Sequence, residues 1–468
     1  MKKASIFLLI SSVLFFPTYA FAVGSAGFEN ASFSAKSLGE SNAVVAQADE
    51  PAAISYNPAG IVDLPGLQVQ SNANLISAFT FQKSPSDAHV RSAGTIVPIP
   101  TGYITLNPGR IANNRLAFGI GSDSPFGLSN KYDSNDSMVH YTGWRNALKM
   151  YTIKPTAAIK LADWLSLGGG PVYYRVFNFA GIQAYPNALI GGPTDGQVRL
   201  NLAGNTWGWQ FGALLKPHKQ HQFGFYFRSP VTVFTRGRIK VENAFSTVNG
   251  NPFFETGGNA KLDLPLNFTW GYAYKPTDKT TIETDFGFTR WAAYKRLYIN
   301  SDPVNAGNDA ILAAIGKSDK DYSNSYSLHL GVNHKVTDKL ELRGGSLFYT
   351  AAVPNDHFIP AVPDSNRLGL SLGTGYKFTK NLSLDVSYLN ILNLRRKINN
   401  DISESLGTSV DGTYFSYLQE LTISVTYKLE NLFGSKEQIV KQPRKERPQI
   451  HFIPVAPKTV ETNNQVLK

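Results

Sequence analysis

Few residues in this sequence have both the type and the spacing for chemistry. His218 and His221 are spaced like a metal-binding pair, but no carboxylate or further histidine lies near them, so we interpret them as part of a solvated turn. A lipid hydrolase would need a serine and a histidine at the membrane edge, with a third polar residue to orient them. The chain has no cysteine, which excludes disulfides, thiolate metal sites and a cysteine nucleophile.

Several charged residues resemble an acid–base constellation, but their positions in alternating strands favour structural ion pairs inside a closed wall. His329 also lies opposite the apolar residues of its strand, which predicts that it faces the interior rather than a membrane edge. The charged residues concerned are Glu283, Asp285, Glu341, Arg343 and Asp385.

The elements that must hold these residues are long strands with a period of two. Leucine and aromatic residues alternate with small polar residues from Leu262 to Tyr274, which predicts one continuous face. The pattern returns from Leu382 to Tyr388 and from Leu421 to Leu429. One apolar and one polar face is typical of a transmembrane strand with lipid on one side and a wet or filled lumen on the other.

Composition and the N-terminus agree with a membrane barrel. Charged residues make up 17% of the 468 residues, below the roughly 25% of soluble domains, and mean hydropathy is −0.18. Lys2 and Lys3 precede an apolar stretch at 6–16, and an Ala-Phe-Ala sequence ends at Ala22. We therefore predict a signal peptide at 1–22 and export from the cytoplasm.

The order of short turns and long polar loops predicts an all-β fold: a 14-stranded antiparallel transmembrane β-barrel spanning 66–430, in the outer membrane of a Gram-negative bacterium. Residues 23–65 are small, irregular and rather apolar, so we expect an N-terminal hatch that forms a plug in the lumen. Residues 431–468 are basic and interrupted by prolines, which indicates a flexible periplasmic tail.

The sequence resembles the FadL-type outer-membrane transporters of long-chain fatty acids, whose relatives pass aromatic hydrocarbons. The resemblance covers about 27–429 and rests on motifs that occur in the order typical of the family. They are 36–39 (KSLG), 56–60 (YNPAG), 124–128 (SPFGL), 163–168 (DWLSLG), 290–291 (RW), 342–344 (LRG) and 362–367 (VPDSNR).

The resemblance implies a kinked third strand that leaves a lateral opening beside the plug. Its motif places the kink at Pro125, Phe126 and Gly127 and a gating turn at Asn57, Pro58 and Ala59, with the turn facing the kink. Proline donates no hydrogen bond and glycine permits unusual backbone angles, so these residues suit an interruption of pairing. A lateral exit also avoids re-exposing a lipid chain to water, at about 0.8 kcal/mol per CH₂.

The sequence departs from the family where fatty-acid members hold the substrate carboxylate. The resemblance puts the two cationic positions at about Gly181 and Ser323, and neither residue is basic. Lys320 and Arg175 are the candidate substitutes. The partners that the resemblance implies are a hydrophobic small molecule, either a fatty acid or a hydrocarbon, and outer-membrane lipid.

Other functions stay open as alternatives. A lipid-modifying hydrolase predicts phospholipid turnover, an aromatic hydrocarbon channel predicts a different substrate, and a general porin predicts open conductance. The net charge of +11 invites a nucleic-acid interpretation, but export and the lack of basic runs interleaved with aromatic residues argue against it. We expect a monomer that is not an enzyme and that needs no nucleotide, metal or redox cofactor.

Overall fold

A computed structural model describes residues 27–85, 89–186, 194–400, 402 and 408–429. The predicted signal peptide, residues 23–26 of the plug and the basic tail lie outside the described residues. All described residues belong to one structural unit, and the second unit, Phe433–Lys468, lies outside them. In the described ranges, no helix is both apolar enough and long enough to cross a membrane.

The described part of the chain contains twenty β-strands. They are β1 (Gly66–Lys83), β2 (His89–Arg91), β3 (Thr95–Asn107), β4 (Leu116–Asp123), β5 (Leu128–Lys131), β6 (Arg145–Ala162), β7 (Leu165–Tyr185), β8 (Gly196–His218), β9 (His221–Arg228), β10 (Val231–Glu242), β11 (Phe254–Leu264), β12 (Asn267–Thr277), β13 (Thr280–Thr289), β14 (Arg296–Ser301), β15 (Lys317–Asp319), β16 (Ser325–Lys335), β17 (Leu340–Tyr349), β18 (Arg367–Lys377), β19 (Leu382–Ile398) and β20 (Gly412–Leu429).

These strands form one closed antiparallel barrel of fourteen wall strands over the described residues, which confirms the predicted fold. Six wall strands each consist of two successive segments: β2 with β3, β4 with β5, β9 with β10, β11 with β12, β13 with β14, and β15 with β16. The barrel closes where β20 pairs with β1, from Leu67 opposite Leu429 to Lys83 opposite Thr413. Closure satisfies the backbone hydrogen bonds that lipid cannot replace.

Alternation along the wall sorts side chains between lipid and lumen. In β16, Leu328 and Leu330 are 46% and 48% exposed, whereas Ser327 and His329 are buried against the interior. His329 therefore faces the lumen, as predicted. The segments from Leu382 to Tyr388 and from Leu421 to Leu429 alternate as predicted, with Leu421 and Ile423 outward and Thr422 and Ser424 buried.

The prediction of one continuous face from Leu262 to Tyr274 is wrong. Leu262 and Leu264 are buried inside the barrel, whereas Phe268 and Trp270 face outward. Even-numbered residues therefore face inward in β11 and outward in β12. Pro265 lies at this junction and cannot donate to the ladder. An interruption of this kind shifts the strand by one residue, and such a shift exchanges its two faces.

The plug lies inside the barrel and is built from short helical turns. Helix α1 (Ala35–Gly39) is capped by Ser34, whose hydroxyl group accepts a hydrogen bond from the backbone nitrogen of Ser37. Two 3₁₀ helices, Pro51–Ser55 and Pro58–Asp63, each begin with proline, which suits a first helical position. The loops contain helices α2 (Ser137–His140) and α3 (Ala306–Ile315) and the 3₁₀ helices Gly109–Ala112, Trp291–Ala293 and Asn355–His357.

Buried polar side chains of the wall hold the plug. Asp285 accepts hydrogen bonds from the backbone nitrogens of Val44 and Val45, both at 3.0 Å, and Glu283 accepts from Ala46 at 2.6 Å and Gln47 at 3.0 Å. These four donors would otherwise be unsatisfied in the interior.

Ion pairs were predicted for five charged residues, and three of them form such pairs: Arg343 lies 2.7 Å from Asp385 and 2.8 Å from Glu341. Glu40 of the plug lies 3.7 Å from the same guanidinium group. One buried cation of the wall is thus shared between two wall carboxylates and the plug. For Glu283 and Asp285 the prediction is wrong, because they accept hydrogen bonds from the plug backbone and pair with no cation of the described residues.

Candidate functional site

The third wall strand is interrupted between β4 and β5. Residues 124–127, which we call the strand break, leave the wall, and Phe126 is fully buried inside the barrel. Its ring contacts Phe28 and Trp291, each with ring centroids 6.1 Å apart. The break lies at the predicted position and turns inward because its apolar side chain has an aromatic cluster to pack against.

The N-terminal segment, residues 28–30, pairs with the strand break. The backbone nitrogen of Asn30 donates to the carbonyl of Pro125, and that of Gly127 donates to the carbonyl of Phe28, both at 2.8 Å. The Asn30 side chain adds a bond to the carbonyl of Ser124 at 3.0 Å. The plug thus supplies the hydrogen bonds that the wall loses at the break.

A buried ion pair fixes the same segment. Arg228 of β9 donates to Glu29 at 2.5 Å, and its guanidinium group lies over the Phe126 ring at 4.6 Å from the centroid. Glu29 also accepts from the hydroxyl group of Thr289 at 3.0 Å. One carboxylate of the N-terminal segment is therefore bound by two wall strands, β9 and β13.

A window in the wall lies beside the break. β3 pairs with β1 along its whole length but with β4 only over Gly102–Leu106, and β5 pairs only with β6 among the described strands. Within the described ranges, residues 95–101 therefore have no ladder partner towards β5. A bond from Ala93 to the carbonyl of Lys131, at 2.8 Å, closes the far end. Pro98 and Pro100 lie in the unpaired stretch, and such prolines are typical of strand edges.

An apolar cavity of about 540 Å³ lies inside the barrel next to the N-terminal segment. Its volume is typical of small-molecule sites, which are about 300–1,000 Å³. Phe28 lines it together with the wall residues Leu128, Leu148, Phe179 and Leu262 and the loop residues Tyr294, Tyr322, Ile359 and Val362. Phe28 thus contributes both to the cavity and to the pairing that closes the break.

Lys320 lines this cavity and is 7% exposed. It lies in the connection between the short β15 and β16, at the end of that wall strand that adjoins the long loop containing α3. Burial lowers the pKa of its ammonium group to about 8, and no carboxylate of the described residues forms an ion pair with it. Asp319 and Asp356 also line the cavity, but neither forms an ion pair with Lys320, and Asp319 pairs with Arg296. A buried cation without an ion-pair partner is suited to an anionic ligand.

Arg175 is placed differently, and the prediction that it could serve the cavity is wrong. Its neighbours Tyr174 and Val176 are fully buried, so Arg175 faces outward on β7, opposite Tyr151 and Asn205. The spacing in the sequence did not show whether the odd- or the even-numbered residues of this strand face the lumen. Gly181, the first position that the resemblance gave for a cation, does line the cavity.

The turn at Asn57, Pro58 and Ala59 packs against β7 and β8. The Asn57 amide donates to the carbonyls of Val45 at 2.7 Å and Ala213 at 3.0 Å, and its oxygen accepts from Ala59 at 3.2 Å. These contacts correct the expectation that the turn faces the strand break. The part of the plug that faces the break is the N-terminal segment.

A polar link nevertheless joins the neighbourhood of the turn to the end of β4. Lys154 donates to Ser55, which precedes the turn, at 3.1 Å, and to Asp123 at 2.5 Å. Asp123 is the residue directly before the break.

His329 and Ser327 are not placed to form a hydrolase site at the membrane edge. His329 lies 3.0 Å from the hydroxyl group of Ser327, and its other ring nitrogen is 2.7 Å from the carbonyl of Ser41. Both side chains are buried between wall and plug, out of reach of membrane lipid. Among the described residues no cluster of three or more histidine or acidic side chains is arranged to bind a metal ion.

The roles of Phe28, Glu29 and Arg228 were not predicted from the sequence. A charged residue among the small and apolar residues of the plug was the available signal for Glu29, but its partner is 199 positions away. Pro98 and Pro100 were a second signal, because a proline pair within an alternating strand indicates an unpaired edge.

A plugged β-barrel with an apolar cavity and a window in its wall defines an outer-membrane transport protein. The chain matches the family of outer membrane transport proteins described as OMPP1/FadL/TodX over residues 16–429, and it belongs to that family. It is accordingly an outer-membrane protein that transports hydrophobic compounds.

Individual relatives are distant in sequence. The chain is 24% identical to "Outer membrane protein P1" of Haemophilus influenzae over 438 residues, covering 83% of this chain and 90% of that protein. It is 26% identical to the "Long-chain fatty acid transport protein" of Escherichia coli O6:H1 over 393 residues, covering 77% and 86%.

Solved structures share the fold. The crystal structure of a Pseudomonas aeruginosa FadL homologue superposes with a TM-score of 0.73 at 19% identity, covering 86% of this chain and 99% of that one. The Pseudomonas putida toluene transporter TodX superposes with a TM-score of 0.61 at 14% identity, covering 82% and 95%.

Proposed function

We propose that this protein takes up long-chain fatty acids, or similar lipids with an anionic head, and releases them sideways into the outer membrane. The substrate enters the 540 Å³ cavity with its carboxylate at Lys320 and its chain against the apolar lining. It leaves past the N-terminal segment, through the strand break and the window beside it. A single chain supplies plug, cavity and window, so we propose that the monomer is active.

The observation that carries this proposal is the lone buried cation in an apolar cavity. Keeping an ammonium group out of water is costly without a partner, and a substrate carboxylate would supply the missing charge. A charge-assisted hydrogen bond of this kind contributes about 1.5–3 kcal/mol. The aliphatic chain adds about 0.8 kcal/mol for each CH₂ group that leaves water.

A lateral route suits such a substrate. An exit through an aqueous pore would return the chain to water, whereas the window opens to the hydrocarbon region. Pro98 and Pro100 leave two fewer backbone donors at the unpaired edge of β3, which lowers the cost of the window in lipid. The three hydrogen bonds between residues 28–30 and the strand break must open for passage.

Aromatic hydrocarbons are the second candidate substrates. Phe28, Phe179, Tyr294 and Tyr322 line the cavity, and aromatic rings favour edge-to-face packing with one another. A hydrocarbon would use this lining without using Lys320. The TodX protein of Pseudomonas putida, which shares the fold, is described as a toluene transporter.

The test compares Lys320→Met with Lys317→Met, a change at a second lysine of the cavity lining. Binding of a long-chain fatty acid, of its methyl ester and of toluene is measured on the purified protein, and uptake is measured in cells. We expect Lys320→Met to weaken fatty-acid binding by about tenfold or more and to leave the ester and toluene unchanged. Equal losses for all three ligands, or no loss, would contradict a carboxylate site at Lys320.

A further inference from the structure

A second groove lies on the outer surface of the barrel. It has a volume of about 940 Å³ and extends from the window edge, at Ile96 and Lys131, across β6, β7 and β8 to β10. It follows the outward face of the wall, and five residues line both this groove and the substrate cavity: Asn146, Ala147, Ala180, Gly181 and Leu200. We call it the outer groove.

The outer groove is strongly basic. Six of its cations come from three wall strands: Lys131, Arg145, Lys149, Arg236, Arg238 and Lys240. Arg199 adds a seventh and lies 3.4 Å from Glu242. Glu255 pairs with Arg238 at 2.5 Å and with Lys240 at 3.1 Å. Among the described residues of the groove and their ion-pair partners, cations therefore outnumber carboxylates by five.

These cations face away from the lumen. On β10, Arg236, Arg238 and Lys240 are exposed, whereas Thr235 and Ile239 are buried inside the barrel. The register places Arg236 opposite Ala203 and Lys240 opposite Arg199, which joins the groove across neighbouring strands. The charge is thus presented to the surroundings of the barrel.

The height of the groove on the wall indicates what surrounds it. Along the outward face of β8, Trp209 and Trp207 are 65% and 61% exposed, and Arg199 follows nearer the strand start. On β10, Phe234 is 69% exposed and precedes Arg236 on the same face. Aromatic residues mark the edge of the hydrocarbon region in such barrels, so the cations lie at the level of the lipid headgroups.

The leaflet is the outer one. The cations lie at the strand ends that adjoin the long connections, including 243–253, and away from the short turn between His218 and His221. In outer-membrane barrels the long loops are extracellular. The lipid at this position carries phosphorylated sugars, and arginine binds phosphate through two parallel hydrogen bonds.

We propose that the outer groove binds the phosphorylated headgroup of the outer-leaflet glycolipid, lipopolysaccharide, beside the lateral window. Glycolipid binding in the outer groove does not depend on which substrate the cavity takes. A bound glycolipid would fix the lipid environment into which the window opens. Lys131, which forms one edge of the groove, also accepts the hydrogen bond that closes the window, through its carbonyl group.

The test uses the full-length protein in a neutral detergent, with lipopolysaccharide, its dephosphorylated form and inorganic phosphate as probes. The variant combines Lys131→Gln, Arg145→Gln and Arg236→Gln, three cations for which the described residues show no ion pair. The control combines Lys279→Gln, Lys339→Gln and Lys380→Gln, which remove the same charge from exposed residues at the short-turn end. Thermal unfolding establishes that both variants are folded.

We expect the groove variant to bind lipopolysaccharide about a hundredfold more weakly and the control to bind it like the parent protein, since each cation near a lipid surface contributes about 1 kcal/mol. The dephosphorylated lipid should bind the parent as weakly as phosphorylated lipid binds the groove variant. Equal binding by the two triple variants, or by the two lipids, would overturn the proposal. Two competition results would also overturn the proposal. If equimolar inorganic phosphate displaced the bound lipopolysaccharide, the groove would be a site for free anions. If equimolar fatty acid displaced it, the groove would belong to the transport route.

Discussion

The carbonyl oxygen of Phe28 accepts a hydrogen bond from the backbone nitrogen of Gly127 at 2.8 Å, while the Phe28 side chain lines the apolar cavity. The residue that contacts a ligand in the cavity is therefore the residue that closes the strand break. A ligand that displaces Phe28 would remove this bond and weaken its neighbour between Asn30 and Pro125. On the proposed route, Phe28 would couple the contents of the cavity to the state of the break.

Glu29→Gln should loosen the N-terminal segment. The change removes the charge that Arg228 faces at 2.5 Å, and hydrogen bonds to charged groups contribute about 1.5–3 kcal/mol. We expect faster backbone hydrogen exchange at Asn30 and Gly127. Glu255→Gln is the control, because it alters an ion pair with the exposed Arg238 and should leave this exchange unchanged. Unaltered exchange in Glu29→Gln would show that the pair does not hold the break closed.

Fatty-acid affinity should fall as the pH rises above about 8. Burial lowers the pKa of Lys320 to about 8, so its ammonium group is charged below that pH and neutral above it, whereas a carboxylate stays ionised throughout. Only the charged form pairs with the substrate, so affinity is full below pH 8 and declines by up to about tenfold per unit above it. Titration of binding from pH 6 to 10 measures this, with Lys320→Met as the pH-independent control. A pH-independent parent protein would contradict the ion pair.

Removing the wall carboxylates that hold the plug should open the barrel. The double change Glu283→Ala with Asp285→Ala leaves the backbone nitrogens at 44–47 without acceptors, and each buried orphan costs about 1–3 kcal/mol. We expect a larger ion conductance in a planar bilayer than for the parent protein, whose plugged lumen should conduct little. Asp263→Ala, at a part-exposed carboxylate beside Lys261, should not change conductance. Unchanged conductance in the folded double variant would mean that other contacts hold the plug.

The glycine that faces the Asn57 turn should not tolerate a side chain. A Cβ atom at Gly212 would collide with the Asn57 side-chain oxygen and would lie 2.7 Å from Pro58. We expect Gly212→Ala to destabilise the barrel by about 1–3 kcal/mol and to reduce uptake. Gly344→Ala is the matched control, because its nearest atoms would be 3.8 Å away. Equal stability of the two variants in denaturant would contradict close packing of the turn.

The barrel was predictable because alternation is a local property of the chain. His329 and the segments ending at Tyr388 and Leu429 have the orientation that their pattern predicts. The strand break was also predictable, since Pro125 and Gly127 interrupt pairing through their own backbone chemistry. The order of turns and loops indicated fourteen strands, and the resemblance implies the same number; the strand boundaries are the part that alternation leaves uncertain.

Contacts between distant segments were not predictable in the same way. The exchange of faces at Pro265 depends on a one-residue shift that the pattern of leucine and aromatic residues conceals. Arg175 was assigned to the wrong side because a period of two does not say which parity faces the lumen. Glu29 pairs with Arg228, and nothing in the sequence around either residue indicates that the two lie together.

The lateral route is tested most directly by locking the N-terminal segment to the break. Glu29 and Phe126 are opposite one another in an antiparallel bridge. The hydrogen bonds join their neighbours on either side, so Glu29 and Phe126 form a non-hydrogen-bonded pair, in which the Cα atoms are about 4.5 Å apart. This spacing suits a disulfide, and the chain has no other cysteine to interfere. The variant combines Glu29→Cys with Phe126→Cys.

The decisive measurement is fatty-acid uptake by the same variant cells before and after reduction of the disulfide, with Glu29→Ser and Phe126→Ser as the control for the lost side chains. If cargo leaves through the break, the oxidised protein should be at least tenfold slower, and reduction should restore the rate of the serine control. Equal uptake in both redox states, with disulfide formation complete, would contradict the lateral route.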